Sequence, residues 1–258
     1  MDLPLFEDDR HEPGMIQAHR LDHDGRDLPA AAVLCFFNDL LERLAASGTL
    51  RSVYALHSEI GHHPVYELAL PEGVVAVVHP GVGSPLAASF VEELAANGAR
   101  AFVACGGAGA LTEGLAVGHL MVVESALRDE GTSFHYAPPS RVIDADPLGV
   151  AVLEDTLRAA GLPYFVGRTW TTDAFLRETR SRVRRRVEEG CAMVDMESSA
   201  FIAVARFRGL RFAQLLYAGD TLAGEEWDSR HWDSRSDVRE RLFYVAARGA
   251  LALLAAPG

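Results

Sequence analysis

The chain contains no lysine. All 24 of its fixed positive charges are arginine, set against 36 aspartates and glutamates. Schiff-base chemistry and a P-loop lysine are therefore excluded. Cysteine is scarce. Cys35, Cys105 and Cys191 are odd in number and far apart, which excludes a disulfide framework and a zinc knuckle. Each lies in an apolar stretch and reads as a small buried hydrophobe suited to a reducing cytoplasm. No apolar run is long enough to span a membrane, because Arg, Asp, Glu or His interrupts each one. Residues 1–10 are acidic and lack a basic segment followed by an apolar one, so no secretory signal is expected. A net charge of −12 repels phosphate backbones and disfavours bulk nucleic-acid binding. No internal repeat or low-complexity segment is present.

The 258 residues are 49% hydrophobic, a globular composition. Residues 1–28 are polar and read as an arm; residues 29–258 read as a single domain. Strands are predicted at 31–37, 53–58, 65–70, 74–79, 100–105, 120–125 and 212–217. Helices are predicted at 39–46, from 84 to the stop at Gly98, and at 147–160, 177–189, 197–208 and 237–254. The alternation predicts a mixed or parallel sheet with helices on both faces.

Two glycine runs follow strands. Gly81-x-Gly83 and Gly107-x-Gly109 resemble parts of a dinucleotide fingerprint, but Leu86 and Thr112 stand where its third glycine belongs. A nicotinamide site is disfavoured. What remains is two turns at strand ends where backbone can approach a small ligand. Glu59-x-x-His62-His63 does not match a metal-binding spacing, and Gly61 and Pro64 argue against a helix there, so a solvated turn is expected and no metal. Arg182, Arg184, Arg185 and Arg186 share a helix with Glu178, Glu188 and Glu189, which reads as a solvated face.

Two carboxylate positions carry chemistry. Asp195-Met196-Glu197 lies where residues 190–194 run into a helix. A carboxylate there can chelate a vicinal diol through two hydrogen bonds, or it can complement a helix dipole. Asp220 follows the apolar strand 212–217. In open α/β sheets ligands gather at strand carboxyl ends, and a shielded acid there can donate a proton; the alternative is a turn aspartate.

The blocks Thr172-Asp173-Ala174-Phe175, Val194-Asp195-Met196-Glu197-Ser198-Ser199-Ala200 and Ala218-Gly219-Asp220 resemble the nucleoside phosphorylase superfamily. They are similar in pattern to bacterial purine nucleoside phosphorylases and to methylthioadenosine/S-adenosylhomocysteine nucleosidases. Pro80-Gly81-Val82-Gly83-Ser84 and Cys105-Gly106-Gly107-Ala108-Gly109-Ala110 resemble the same families' glycine turns. The five motifs span residues 74–224 in family order. The resemblance implies a three-layer α/β/α sandwich with a mixed central sheet. It implies that Glu197 binds the ribose hydroxyls, that Met196 and Val82 lie against the sugar, and that Phe175 and Asp173 lie at the base. Asp220 would protonate a purine at N7. Uridine phosphorylases, similar elsewhere, lack that acid.

The anion pocket departs from the family pattern. Ala104 stands where phosphorylases carry an arginine, Gly107 where they carry a phosphate-contacting Ser or Thr, and residues 35–39 replace an early Gly-x-x-x-Arg loop. Gly81, Gly83, Gly106 and Gly107 would line the nucleophile pocket. Either Arg128, Arg141 or Arg168 supplies the charge, or water is the nucleophile; both acceptors stay open. The resemblance further implies a nucleoside substrate, inorganic phosphate for a phosphorylase, no cofactor, and a homo-oligomer (dimer or hexamer) in which a neighbouring subunit closes the sugar pocket. Residues 224–235, with Trp227 and Trp232, are expected to form a lid beside Asp220. The rival reading is a nucleoside-binding or sensor module that has lost catalysis.

Overall fold

Branched and small apolar residues set the centre of the fold. The runs Ala31–Cys35 and Gly73–Val78 form neighbouring strands whose residues are almost all buried, as expected of strands covered on both faces. The computed structural model describes residues 3–18, 20 and 27–257. Most of the predicted arm falls in that range, but 1–2, 19 and 21–26 lie outside the described residues.

In chain order the elements are β1 (Ala31–Cys35), α1 (Asn38–Ala46), β2 (Leu50–Ser58), β3 (Gly61–Leu70), β4 (Gly73–Val78), α2 (Ser84–Ala96), β5 (Ala101–Ala110), β6 (Leu120–Asp129), β7 (Val142–Asp144), α3 (Pro147–Ala159), β8 (Tyr164–Thr172), α4 (Arg180–Glu188), β9 (Cys191–Asp195), α5 (Ser198–Arg208), β10 (Arg211–Thr221) and α6 (Ser236–Ala255). The strands form one mixed sheet in the order β10-β6-β8-β9-β5-β1-β4-β3-β2, with β7 on β6. β5 also pairs with β10, so β5, β10, β6, β8 and β9 close into a ring.

Helices cover both faces. Alternate residues of β1 show the division: Ala32 and Leu34 pack with Phe90, Leu94 and Phe201 of α2 and α5, whereas Ala31, Val33 and Cys35 pack with Leu40, Leu153 and Phe243 of α1, α3 and α6. All three cysteines are free and buried.

The structure corrects several boundaries. Gly106-Gly107-Ala108-Gly109 is not a turn. It is the continuation of β5, paired in parallel with β10 from Ala101 to Ala110 and, at Gly109, antiparallel with Val194 of β9. Glycine is needed there for close approach: a Cβ on Gly109 would lie 2.8 Å from Leu222 and 2.9 Å from Val194. β10 likewise runs on through Gly219 and Asp220. Residues 61–64 belong to β3, where His62 faces His57 across the hairpin. The predicted helix 177–189 begins only at Arg180, because the Thr179 side chain accepts the backbone N–H of Arg182 and caps it. β7 and β8 had no strand prediction, and β9 falls on the run 190–194 that leads into a helix. The first glycine turn is real: Gly81 and Gly83 have φ of 76° and 96°.

α3 lies close against the sheet at Gly149, where a Cβ would lie 2.6 Å from the carbonyl oxygen of Phe212. Gly149→Ala should therefore destabilise the protein by ~1–3 kcal/mol through overpacking. Urea unfolding measures this; an unchanged midpoint would show that α3 does not pack so closely on β10.

Candidate active site

Where β5, β9 and β10 end together, the glycines of β5 leave a cavity of about 690 Å³. Gly106 to Gly109 form one wall and residues 194–197 another. Gln214, Leu216 and Asp220 enter from β10, and Phe36, Val82, Phe175, Glu178, Trp227 and Trp232 are among the other residues that line it.

The wall at 194–197 is fixed by Asp195. Its buried carboxylate accepts five hydrogen bonds of 2.6–3.1 Å: from the hydroxyls of Thr169 and Thr171 on β8, from the Ser198 hydroxyl, and from the backbone N–H groups of Glu197 and Ser198. The last two are free donors at the start of α5, so Asp195 satisfies the helix terminus. Burial pushes its carboxyl up, and these bonds oppose that shift. The two readings of the Asp195-Met196-Glu197 block thus divide between two acids. Asp195 takes the helix role, and Glu197 is left for the cavity.

Glu197 is buried and accepts the Gly83 N–H at 2.6 Å, while the Ser84 hydroxyl donates to the Met196 carbonyl at 2.6 Å. These bonds clamp the first glycine turn onto the β9–α5 junction. Burial, and then the charges of Asp195 and Asp173, push the Glu197 carboxyl up to about 8. Met196 is half-buried and Val82 is 65% exposed; both line the cavity, as does Phe175 at 59% exposure.

Asp220 is half-buried. Its Oδ2 accepts the Trp227 indole N–H at 2.7 Å, and its carbonyl accepts from Arg230, which also donates to the Leu115 carbonyl. Thr221 and Asp228 form a bridge. The segment after β10 is thereby folded back over Asp220, where the lid was expected.

Several expected site residues lie elsewhere. Asp173 does not line the cavity; its carboxylate accepts the Gly131 N–H at 2.9 Å. Arg168 donates to Ser125 and to the Glu189 carbonyl. Arg128 is enclosed by Ser133, Pro138 and Ser140, and Arg141 pairs with Glu189. None of these arginines lines the cavity, because each satisfies groups of its own neighbourhood. Gly81 and Gly83 stand behind the wall, and Gly106 and Gly107 are in it. Arg186 is not on a solvated face: it is buried, pairs with Asp129 and Glu189, and stacks 5.3 Å from Trp170.

Two polar cavity residues, Glu178 and Gln214, are not among the site residues that the sequence suggests. Glu178 precedes the capped start of α4 rather than lying on its surface. Burial and the charge of Asp220 push its carboxyl up to about 7. Its place three residues after Phe175, before the Thr179 cap, was the available signal. Gln214 is a lone amide in an apolar strand, a pattern break that marks a polar group at a core position.

A sequence profile described as the phosphorylase superfamily matches residues 30–252. A uridine phosphorylase of Thermococcus kodakarensis is 34% identical over 121 residues, 47% of this chain and 43% of that protein. A guanosine phosphorylase of Halorubrum lacusprofundi is 31% identical over 137 residues, 53% and 57% respectively. The chain thus matches about half the length of these curated relatives. In three dimensions it is similar to a uridine phosphorylase of Vibrio fischeri, with a TM-score of 0.73, 24% identity, and coverage of 93% and 97% of the two chains. The mixed α/β fold is that of nucleoside phosphorylase structures.

The raised Glu197 carboxyl fixes a stability trend. The unfolded chain releases this proton near the ordinary value of 4.5, the folded one near 8. Stability contributed by the protonated form is complete below the lower value and is lost as pH rises through the upper one. The ligand-free protein should lose several degrees of Tm between pH 5 and 8.5. Glu197→Gln, which cannot ionise, should show a flatter profile by scanning calorimetry. Parallel profiles would place Glu197 in a far wetter setting.

Proposed function

The chain belongs to the phosphorylase superfamily, and from that premise we propose that it cleaves the N-glycosidic bond of a nucleoside, with a purine as leaving base and inorganic phosphate as acceptor. The observation that carries this reading is that Glu197 and Asp220 open onto one cavity. Glu197 holds the ribose hydroxyls against the Gly83 clamp, and Met196 and Val82 lie along the sugar. The exposed ring of Phe175 offers a stacking face to the base. The bond from C1′ to the base nitrogen breaks with its electrons going to the base. Asp220 gives its proton to N7, and an acceptor oxygen closes on C1′. Such proton donation contributes ~10²–10⁴-fold in rate. No step needs a metal or organic cofactor.

The purine assignment rests on Asp220, since a pyrimidine nucleoside has no ring nitrogen equivalent to N7. A second reading, hydrolysis, is favoured by one observation: among the described residues no arginine lines the cavity. Val82, Phe175, Leu176 and Trp227 are each more than half exposed at its mouth. We place a second copy of the chain over them, in a homo-oligomer built from the 29–258 domain.

Asp220→Asn keeps the Trp227 contact but cannot deliver an acid proton. Turnover of adenosine or inosine should fall ~10²–10⁴-fold. The same variant should lose far less on 7-methylguanosine, whose base is already cationic. Equal losses remove the general-acid role, and a wild-type preference for uridine removes the purine assignment.

The acceptor is read by running the wild type with and without phosphate. Phosphorolysis predicts ribose 1-phosphate and no turnover in phosphate-free buffer. Free ribose formed at equal rates in both buffers would establish the hydrolytic reading instead.

A further inference from the structure

Among the described residues four buried side-chain polar atoms have no hydrogen-bond partner: Nε of Arg186, Arg230 and Arg239, and Oε1 of Gln214. The three arginines are otherwise engaged, Arg186 by Asp129 and Glu189, Arg230 by the Leu115 and Asp220 carbonyls, and Arg239 by Asp39. Gln214 differs from them, because it is 2% exposed and also lines the cavity.

Folding gives no reason for an amide there. Phe212 and Leu216, two residues to either side on β10, belong to the apolar cluster built around Phe201. A leucine at 214 would continue that row, whereas a buried acceptor without a donor opposes folding. In register across the strand pair stands Ala104 of β5, whose methyl fills little space. The small Ala104 leaves Gln214 room to turn its amide along the cavity wall, of which it is part. It lies six residues before Asp220 on the same strand, and both line the cavity. The next lining position on β10, Leu216, and its register partner Gly106 on β5 are uncharged.

We propose that Gln214 positions the glycosyl acceptor, its amide taking a hydrogen bond from an O–H of the attacking species. This rests on the reading of the cavity as a site of glycosidic cleavage. Hydrogen phosphate and water share that chemistry. Each offers an O–H donor and an oxygen lone pair, and an amide carbonyl that holds the O–H leaves the lone pair free to face C1′. The amide takes no proton itself. The acceptor oxygen bonds to C1′ as the base departs with the Asp220 proton. The acceptor's own proton then leaves to solvent, and Asp220 is reprotonated, so the base gains one proton and the acceptor loses one.

Gln214→Leu tests this, because the side chain keeps its size and loses its polarity. The expected result is a Tm equal to or above wild type, with turnover of a purine nucleoside reduced at least about tenfold, the loss of one well-made hydrogen bond, and nucleoside KM little changed. Gln214→Glu separates the two acceptors. The added charge repels inorganic phosphate, so phosphorolysis should fall below that of Gln214→Leu with a raised phosphate KM. A water reaction in phosphate-free buffer should be retained. A lowered Tm with unchanged turnover in Gln214→Leu makes the amide structural and overturns the proposal. So does a loss confined to nucleoside KM, which would put Gln214 on the nucleoside. A wild type that cleaves no nucleoside overturns the proposed function itself, and this proposal with it. An active wild type with an indistinguishable Gln214→Leu overturns only the role of Gln214.

Discussion

The buried carboxylate of Asp195 joins three elements that would otherwise move independently. Thr169 and Thr171 reach it from β8, its own backbone ends β9, and the first donors of α5 point at it. Thr171 also accepts the Ser199 N–H at 3.1 Å, so the strand and the helix share one hydroxyl as well as one acid. A buried acid is costly unless its lone pairs are filled, and here five donors fill them. Glu197 can then face the cavity, because the helix terminus beside it already has its anion. The Gly83 N–H and the Ser84 hydroxyl bring the first glycine turn onto the same junction. A change at Asp195 would move Glu197, Val82 and Met196 together.

The second constraint is closure of the sheet. β5 has three neighbours, β10 along its whole length, β1 along its first half and β9 at its end. A strand with ordinary side chains could not be approached from so many directions. At Gly107 a Cβ would press on the Tyr217 ring at 3.2 Å, and at Gly109 it would displace Leu222 and Val194. The glycines let β9 and β10 converge on β5, and the volume their side chains do not occupy becomes part of the cavity.

Much of this was legible in the residues. Apolar runs marked β1, β4 and β10, β-branched in β4, and glycine stops marked the ends of several helices. Glu197, Met196, Val82, Phe175 and Asp220, which the motifs singled out, all line one cavity. What was not legible has physical reasons. A Gly-Gly-Ala-Gly run reads as a turn because glycine permits one, while its use in a strand depends on neighbours that only the fold supplies. β8 contains Gly167, Arg168 and four polar or aromatic residues in its last positions, so its pattern lacks the alternation that marks a strand. Asp173 and Arg168 carry suitable chemistry, but their partners Gly131 and Ser125 lie 42 and 43 residues away. Local sequence gives no sign of such partners. Glu178 was assigned to a charged helix because charge dominated its surroundings, and the Thr179 cap excludes it.

The charges around the cavity bear on how an anion could enter it. Glu178, Asp195, Glu197 and Asp220 line it, and no cation among the described residues does. Four ionised carboxylates would exclude phosphate. Burial changes that balance: it raises Glu178 to about 7 and Glu197 to about 8, so near neutral pH Glu197 is mostly neutral and Glu178 partly so. Asp195 is surrounded by donors that spread its charge into β8 and α5. A buried guanidinium also stands behind the wall, where Arg239 lies 5.1 Å from the Phe37 ring and 5.3 Å from that of Trp232, both of which line the cavity. Its charge is shared with Asp39 at 2.7 Å, so its field at the cavity is that of a partly compensated ion. The same desolvation that makes Glu197 a weak acid thus lowers the electrostatic barrier to an anionic acceptor, without an arginine in the wall.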